Sequence, residues 1–373
     1  MKFIFYTLLL LICYACQPKK QHSSITQQSN LKYATGFSYQ HFKKLTKVTV
    51  YKPFKNASYS FEYLIITGDT VVQPQHPNQF IIKQPVTKLI ASSTTQIPVL
   101  EALNSQSLLK GYPNTAYISS KKTRALIDKG KVLDLGHEED MNTELVLNLK
   151  PDVIFTFGVN HLSKQFSIFK KAGIPLVVDA SWLEKNPLGR AEWIKFFALF
   201  LGKEKEASFI FDEIEKNYTT VLKTVSQTTH HPKVLYGDLF QDVWYAPAGE
   251  SYMAKILRDA QMDYLWKGTK GTGSLSLSFE RVFLEAKDAA IWLAPGIAKN
   301  KEQLIDMNVH YQQFSPYKND QIYSYANATG ATGGLLFFEL GALRPDYILT
   351  DLVKIAHPKL LTDKKFTFFE KLP

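Results

Sequence analysis

Apolar residues recur at helical spacing between positions 203 and 226. Ala207, Ile210, Phe211, Ile214, Tyr218, Val221, Leu222 and Val225 are separated by Lys, Glu and Asp. With no Pro or Gly inside it, the stretch predicts one amphipathic helix, roughly 36 Å long at ~1.5 Å per residue. Gly202 precedes it and His231-Pro232 follows soon after it, both signals that end helices. On either side, short apolar runs alternate with helical patterns. The expectation is an α/β protein of two Rossmann-like lobes joined by a single long rigid helix, with a ligand held between the lobes.

In chain order, residues 31–85 read as a β-rich extension of the first lobe, with strands at 47–51, 59–67 and 70–72. Residues 86–180 predict the N-terminal lobe, with strands at 87–91, 108–112, 132–135, 152–157 and 175–178 and helices between them. Residues 181–230 carry the linker and the spanning helix, and residues 231–373 the C-terminal lobe. In that second lobe, strands are expected at 234–237, 289–293 and 321–325, and helices at 252–260, 279–286, 335–340 and 347–356.

The amino terminus follows a different pattern: an apolar run over 3–12, then small residues up to Cys16. The run is too short to span a bilayer as a mature helix and suits the core of an export signal. Its end, Leu-Ile-Cys-Tyr-Ala-Cys, resembles a bacterial lipobox. That implies a signal over 1–16 and lipidation of Cys16, with simple cleavage or an uncleaved anchor as the alternatives. Cys13 and Cys16 are the only 2 cysteines, so a mature chain has no disulfide and no thiolate chemistry. Residues 17–30, rich in Gln and Ser, read as a flexible tether. The net charge of +10 is spread along the chain rather than clustered, which suits a solvated surface or an anionic ligand better than nucleic acid.

Ligands of open α/β sheets sit beyond the carboxyl ends of the strands. That rule selects Ser93, Thr94, Thr95, Tyr112, Asn160, His161 and Trp182 on the first side of the cleft. Arg190, Trp244 and Tyr245 come from the crossing and the second side. Aromatic faces can cover a macrocycle or a catecholate, and Arg can neutralise an anionic chelate. Each residue has an ordinary structural use as well: the hydroxyls as helix caps, the aromatics as core. The adjacent His230-His231 pair points in divergent directions, and no metal-ligand set can be assembled. Catalytic signatures such as His-Glu-x-x-His and Gly-x-Ser-x-Gly are missing. A carboxylate hydrolase built on Asp238 and Asp242 is the remaining enzyme reading.

Four segments together resemble the substrate-binding proteins of ABC importers for ferric siderophores and cobalamin. They are LIASSTTQIPVLEAL from Leu89, MNTELVLNLKPDV from Met141, LSLSFERVFLEAKDAAIWL from Leu275 and LGALRPDYILTDLVKIAHPKL from Leu340. The resemblance implies the class III periplasmic binding protein fold. It also implies a ferric siderophore as ligand, with cobalamin or haem as alternatives, and no covalent cofactor. The implied partners are a membrane permease and its ATPase, with a monomer anchored by lipid at the cell envelope and no nucleic acid. In that family an acidic residue on each lobe docks on the permease, and the matching positions are Glu144 and Glu280. Both also fall at helix starts, where a carboxylate favours the helix dipole.

Overall fold

Of the 373-residue chain, the computed structural model describes residues 27–138, 140–159, 161 and 165–373. The signal, Cys16 and Asn160 therefore lie outside the described residues. The long helix forms as its periodicity requires, running Glu204–Val225 over 22 residues. It buries Ala207, Phe211, Ile214, Tyr218, Val221 and Val225 and leaves its charged face in solvent. Full burial of each large apolar side chain contributes ~1.5–3 kcal/mol, so one apolar stripe fixes the helix in place. The stripe lies against Ile194–Leu201 on one side and Pro345–Ala356, a helix of the second lobe, on the other.

The first lobe is a parallel five-stranded sheet in the order Leu176–Val178, Val153–Thr156, Leu89–Ala91, Leu109–Tyr112, Leu133–Asp134. Leu176–Val178, Val153–Thr156 and Leu89–Ala91 are short and buried throughout, as expected of strands covered on both faces. The second lobe repeats the plan with Asp263–Tyr264, Lys233–Tyr236, Ile291–Leu293 and Ile322–Ser324 in parallel. Glu370–Lys371 then adds an antiparallel edge. Beside this sheet sits an antiparallel ribbon of Asp238–Phe240, Val243–Pro247 and Ser274–Leu277, which apolar runs alone did not reveal.

A third sheet precedes both lobes, formed by Gln27–Gln28, Phe37–Phe42, Leu45–Val50, Phe61–Ile66 and Gln79–Lys83. The strand expected at 70–72 does not form: Val71 is 83% exposed and has nothing to pack against. Its place is taken by Gln79–Lys83, whose alternating Phe80 and Ile82 are buried. This layer packs on the first lobe through Tyr63. The Tyr63 ring meets Phe196 and Phe200, and its hydroxyl accepts the Val178 N–H at 2.9 Å.

Two buried carboxylates pin the start of the layer to the crossover. Glu192 accepts the backbone N–H groups of Lys32, Tyr33 and Ala34 at 2.8–3.1 Å, and the Lys195 ammonium lies 2.7 Å from it. Glu184 accepts those of Thr35 and Gly36 at 2.8 Å and the Trp193 indole N–H at 3.0 Å. Among the described residues no helix is long and apolar enough to cross a membrane.

Candidate functional site

The strands of both sheets point their carboxyl ends at a common cleft. Its first chamber, about 440 Å³, is walled by Ser92, Ser93, Thr94, Tyr112 and Phe157 of the first lobe and by Gly333–Leu335 and Phe338 of the second. The next chamber, about 360 Å³, is lined by Trp182 and Arg190 from the crossover and by Tyr236, Tyr252 and Phe337. Phe338 borders both chambers and is 52% exposed.

Ser93, Thr94, Tyr112, Trp182 and Arg190 are thus brought to one cleft. Tyr112 is nearly buried, and burial together with the carboxylates of Glu138 and Glu339 pushes its phenol up. Its phenol therefore stays neutral over the whole physiological range. Arg190 stacks its guanidinium over the Tyr252 ring at 4.5 Å. The Asp179 carboxyl nearby is pushed up by burial, against the Ser181 hydrogen bonds and the Arg190 charge. Two donors stand out: Arg190 Nε and Trp182 Nε1 are buried and have no hydrogen-bond partner among the described residues. A buried donor without a partner costs about 1–3 kcal/mol. Both residues line the same chamber, where a ligand meets their other atoms, since these two nitrogens are covered.

Other expected residues have different uses. Thr95 does not face the cleft; its hydroxyl bonds Ser93 Oγ at 2.8 Å. Neither Ser93, Thr94 nor Thr95 caps the following helix, because Gln96 folds back and accepts the Ser92 and Ser93 N–H groups instead. The capping use expected of these hydroxyls is corrected accordingly. Trp244 is also corrected: it is fully buried, stacks on Trp292 at 5.7 Å and donates to the Tyr236 carbonyl at 3.0 Å. In a two-residue strand period Trp244 faces the lobe core and Tyr245 faces out. Tyr245 is 42% exposed and lines neither chamber. His161 is exposed on its loop and lines neither chamber. Among the described residues no cluster of three or more His, Cys, Asp or Glu is placed to hold a metal ion. Asp238 opens the short strand Asp238–Phe240 and Asp242 lies in the turn beyond its far end, so the strand separates the two residues.

The two lobes are tied beside the first chamber by a clasp that sequence reasoning missed. Glu339 of the second lobe is buried, and its carboxylate accepts the N–H groups of Ser119 at 2.6 Å and Ser120 at 2.9 Å from the first. Thr332 donates its hydroxyl to the Ala116 carbonyl at 2.6 Å. The approach is close enough that a Cβ on Gly334 would collide with the Tyr117 carbonyl, and one on Gly330 with the Ser119 backbone. Nothing in the sequence Phe337-Phe338-Glu339 announces it, because the structure exposes Phe338 and buries Glu339 beside it, the reverse of ordinary patterning.

Glu144 and Glu280 occupy matching places. Each is exposed in the first turn of a helix, Thr143–Leu149 and Phe279–Ala286, whose N-cap is Asn142 or Ser278.

Residues 89–329 match the family model described as periplasmic binding protein. An uncharacterized lipoprotein of Methanocaldococcus jannaschii is 31% identical over 300 residues, covering 78% of this chain and 70% of that protein. Among solved structures, CeuE of Helicobacter pylori in its Ni-His complex is similar with a TM-score of 0.60 and 18% identity, covering 85% of this chain and 90% of that one. The triscatecholate siderophore binding protein FeuA of Bacillus subtilis, complexed with ferri-bacillibactin, gives 0.56 at 16% identity, covering 77% of this chain and 99% of that one.

Proposed function

Because the chain belongs to the periplasmic binding protein family, we propose that it is the substrate-binding lipoprotein of an ABC importer, capturing a ferric siderophore between its lobes. The observation that carries the reading is the meeting of the Arg190 guanidinium and the Trp182 indole in a chamber walled by Tyr236, Tyr252 and Phe338. A ferric chelate offers both complements: anionic oxygens for the guanidinium, and a flat or apolar scaffold for the rings. Cysteine 16 supplies the lipid anchor on this reading, in keeping with the lipoprotein name of the archaeal relative. Glu144 and Glu280 present the loaded protein to arginines of the permease, and the chain binds and delivers without transforming its cargo.

Trp182 reports on the site directly, because the other tryptophans are buried away from the cleft. Titration with a ferric tris-catecholate, a ferric tris-hydroxamate, cyanocobalamin and haem should give saturable quenching with one ferric siderophore, confirmed by calorimetry. Trp182→Phe should abolish most of the quenching, and Arg190→Ala should weaken binding by roughly 10- to 100-fold, the loss of one charged hydrogen bond. Binding of cyanocobalamin or haem alone would redirect the reading to those cargoes. Binding of none of them would refute the chelate.

A further inference from the structure

The Trp182–Arg190 chamber shares Lys55, Leu183 and Thr272 with a neighbouring cavity of about 730 Å³. Its far wall is built by the amino-terminal layer, through Tyr51, Lys52, Phe54 and Lys55. These residues precede the segment that matches the family model, which begins at residue 89. We infer that this annex is a second contact region for the cargo, with Lys52 and Lys55 binding the peripheral anionic groups of a large chelate whose metal centre sits at Arg190 and Trp182. The inference rests on the chelate reading above and names the charge class of that ligand.

The placement of the 51–55 loop supports this role. Phe54 is 1% exposed and stands over Gly158, where a Cβ would press on the ring at 2.9 Å. The Lys55 N–H donates to the Val159 carbonyl at 3.1 Å. The loop is thereby seated just past the carboxyl end of Val153–Thr156, the place where open α/β sheets hold ligands. The Tyr51 N–H donates to the Gly36 carbonyl at 2.9 Å, and Gly36 is held in turn by buried Glu184. The wall is therefore built before any ligand arrives, which removes the ordering cost of binding. Lys52 and Lys55 are exposed and form no ion pair among the described residues, while Lys185 across the annex is paired with Glu250 at 3.4 Å. Two uncompensated ammonium groups on a fixed wall favour a multiply charged anion. Each chamber falls within the usual ~300–1,000 Å³ of a ligand site and the three together exceed it, which suits a bulky chelate.

The test uses full-length protein in detergent and two ferric complexes of similar size, a trianionic tris-catecholate and a neutral tris-hydroxamate. Lys52→Glu with Lys55→Glu should weaken the trianionic complex by at least about tenfold, with a steeper salt dependence in the wild type than in the variant. Binding of the neutral complex should not change. Both lysines should also lose reactivity toward an amine-acylating reagent when the trianionic complex is bound. If the double variant binds both complexes as the wild type does, while Arg190→Ala weakens them, the annex assignment is overturned and the cleft reading stands. Equal weakening of both complexes points to a structural role for the loop and overturns it too. Failure of wild-type protein to bind either complex overturns the chelate reading and the annex with it.

Discussion

Glu339→Gln perturbs the interlobe clasp with little change of volume. In the wild type, Oε2 accepts the Ser119 N–H at 2.6 Å and Oε1 the Ser120 N–H at 2.9 Å. A carboxamide keeps one acceptor and turns an NH2 toward the other N–H, so one hydrogen bond is lost and two donors face each other. Leaving a buried N–H without an acceptor costs about 1–3 kcal/mol, so below about pH 4.5, where both side chains are neutral, the population of the open clasp should rise roughly 10- to 100-fold. Hydrogen exchange at the Ser119 and Ser120 amides reads this directly, because those two N–H groups are the ones released. Exchange at the amides of Leu89–Ala91 should be unchanged. Unchanged protection of Ser119 and Ser120 would refute the idea that the carboxylate holds the lobes.

The same residue gives the clasp a pH dependence with a defined sign. Burial, aided by the neighbouring Glu101 carboxylate, pushes the Glu339 carboxyl up from 4.5 to about 7, against the pull of the Ser119 and Ser120 N–H groups. The groups facing it are Glu101 from Gln96–Ala102 and the Tyr112 phenol. The clasped state therefore holds its proton more tightly than the open state. Its proton-linked stability is fully present below about pH 4.5, is lost as pH rises through about 7, and is flat above that. The span is on the order of 3 kcal/mol, at about 1.4 kcal/mol per pH unit. After correction for intrinsic exchange rates, protection of Ser119 and Ser120 should fall across this window in the wild type and stay level in Glu339→Gln. A slope that persists in the variant would assign the titration to another group.

Other outcomes follow from the same contacts. Glu192→Ala leaves three backbone N–H groups at Lys32, Tyr33 and Ala34 without their acceptor, and urea unfolding should show a loss of about 3 kcal/mol or more; a loss below about 1 kcal/mol would mean the amino-terminal layer is held by packing alone. Glu144→Ala with Glu280→Ala should abolish uptake of the cargo while calorimetric affinity stays at the wild-type value, and retained uptake would rule out docking through these residues. Cys16→Ser should release the chain from the membrane fraction and remove label in a lipid-labelling assay; persistent labelling would move the anchor elsewhere.

What was legible in the sequence depended on how local its cause was. The helix Glu204–Val225 was visible because its apolar stripe repeats over six turns, and the strands around Ile90, Ile154 and Val177 because both of their faces are buried. Trp244 was misread because a strand end near a cleft offers two faces, and the choice between Trp244 and Tyr245 is made by Trp292 and Phe314, far along the chain. Nothing in the linker sequence marks Glu184 and Glu192, since the N–H groups they accept lie about 150 residues earlier. Lys55 could not be placed in the cleft at all until Phe54 was seen to sit on Gly158.

These long-range contacts share one consequence for function. The lobes are held by the spanning helix and by the Glu339 clasp beside one chamber, and the amino-terminal layer is held to the crossover by Glu184 and Glu192 behind the annex. With so many fixed points, large hinge motion would break several buried charged hydrogen bonds at once, at about 1.5–3 kcal/mol each. Discrimination between cargoes then falls to the walls as they stand: the Trp182 indole and Arg190 guanidinium, rings at Tyr252 and Phe338, and ammonium groups at Lys52 and Lys55. A change of cargo should accordingly come from substitutions on those walls, while substitutions in the spanning helix should alter stability and leave the order of ligand preference intact.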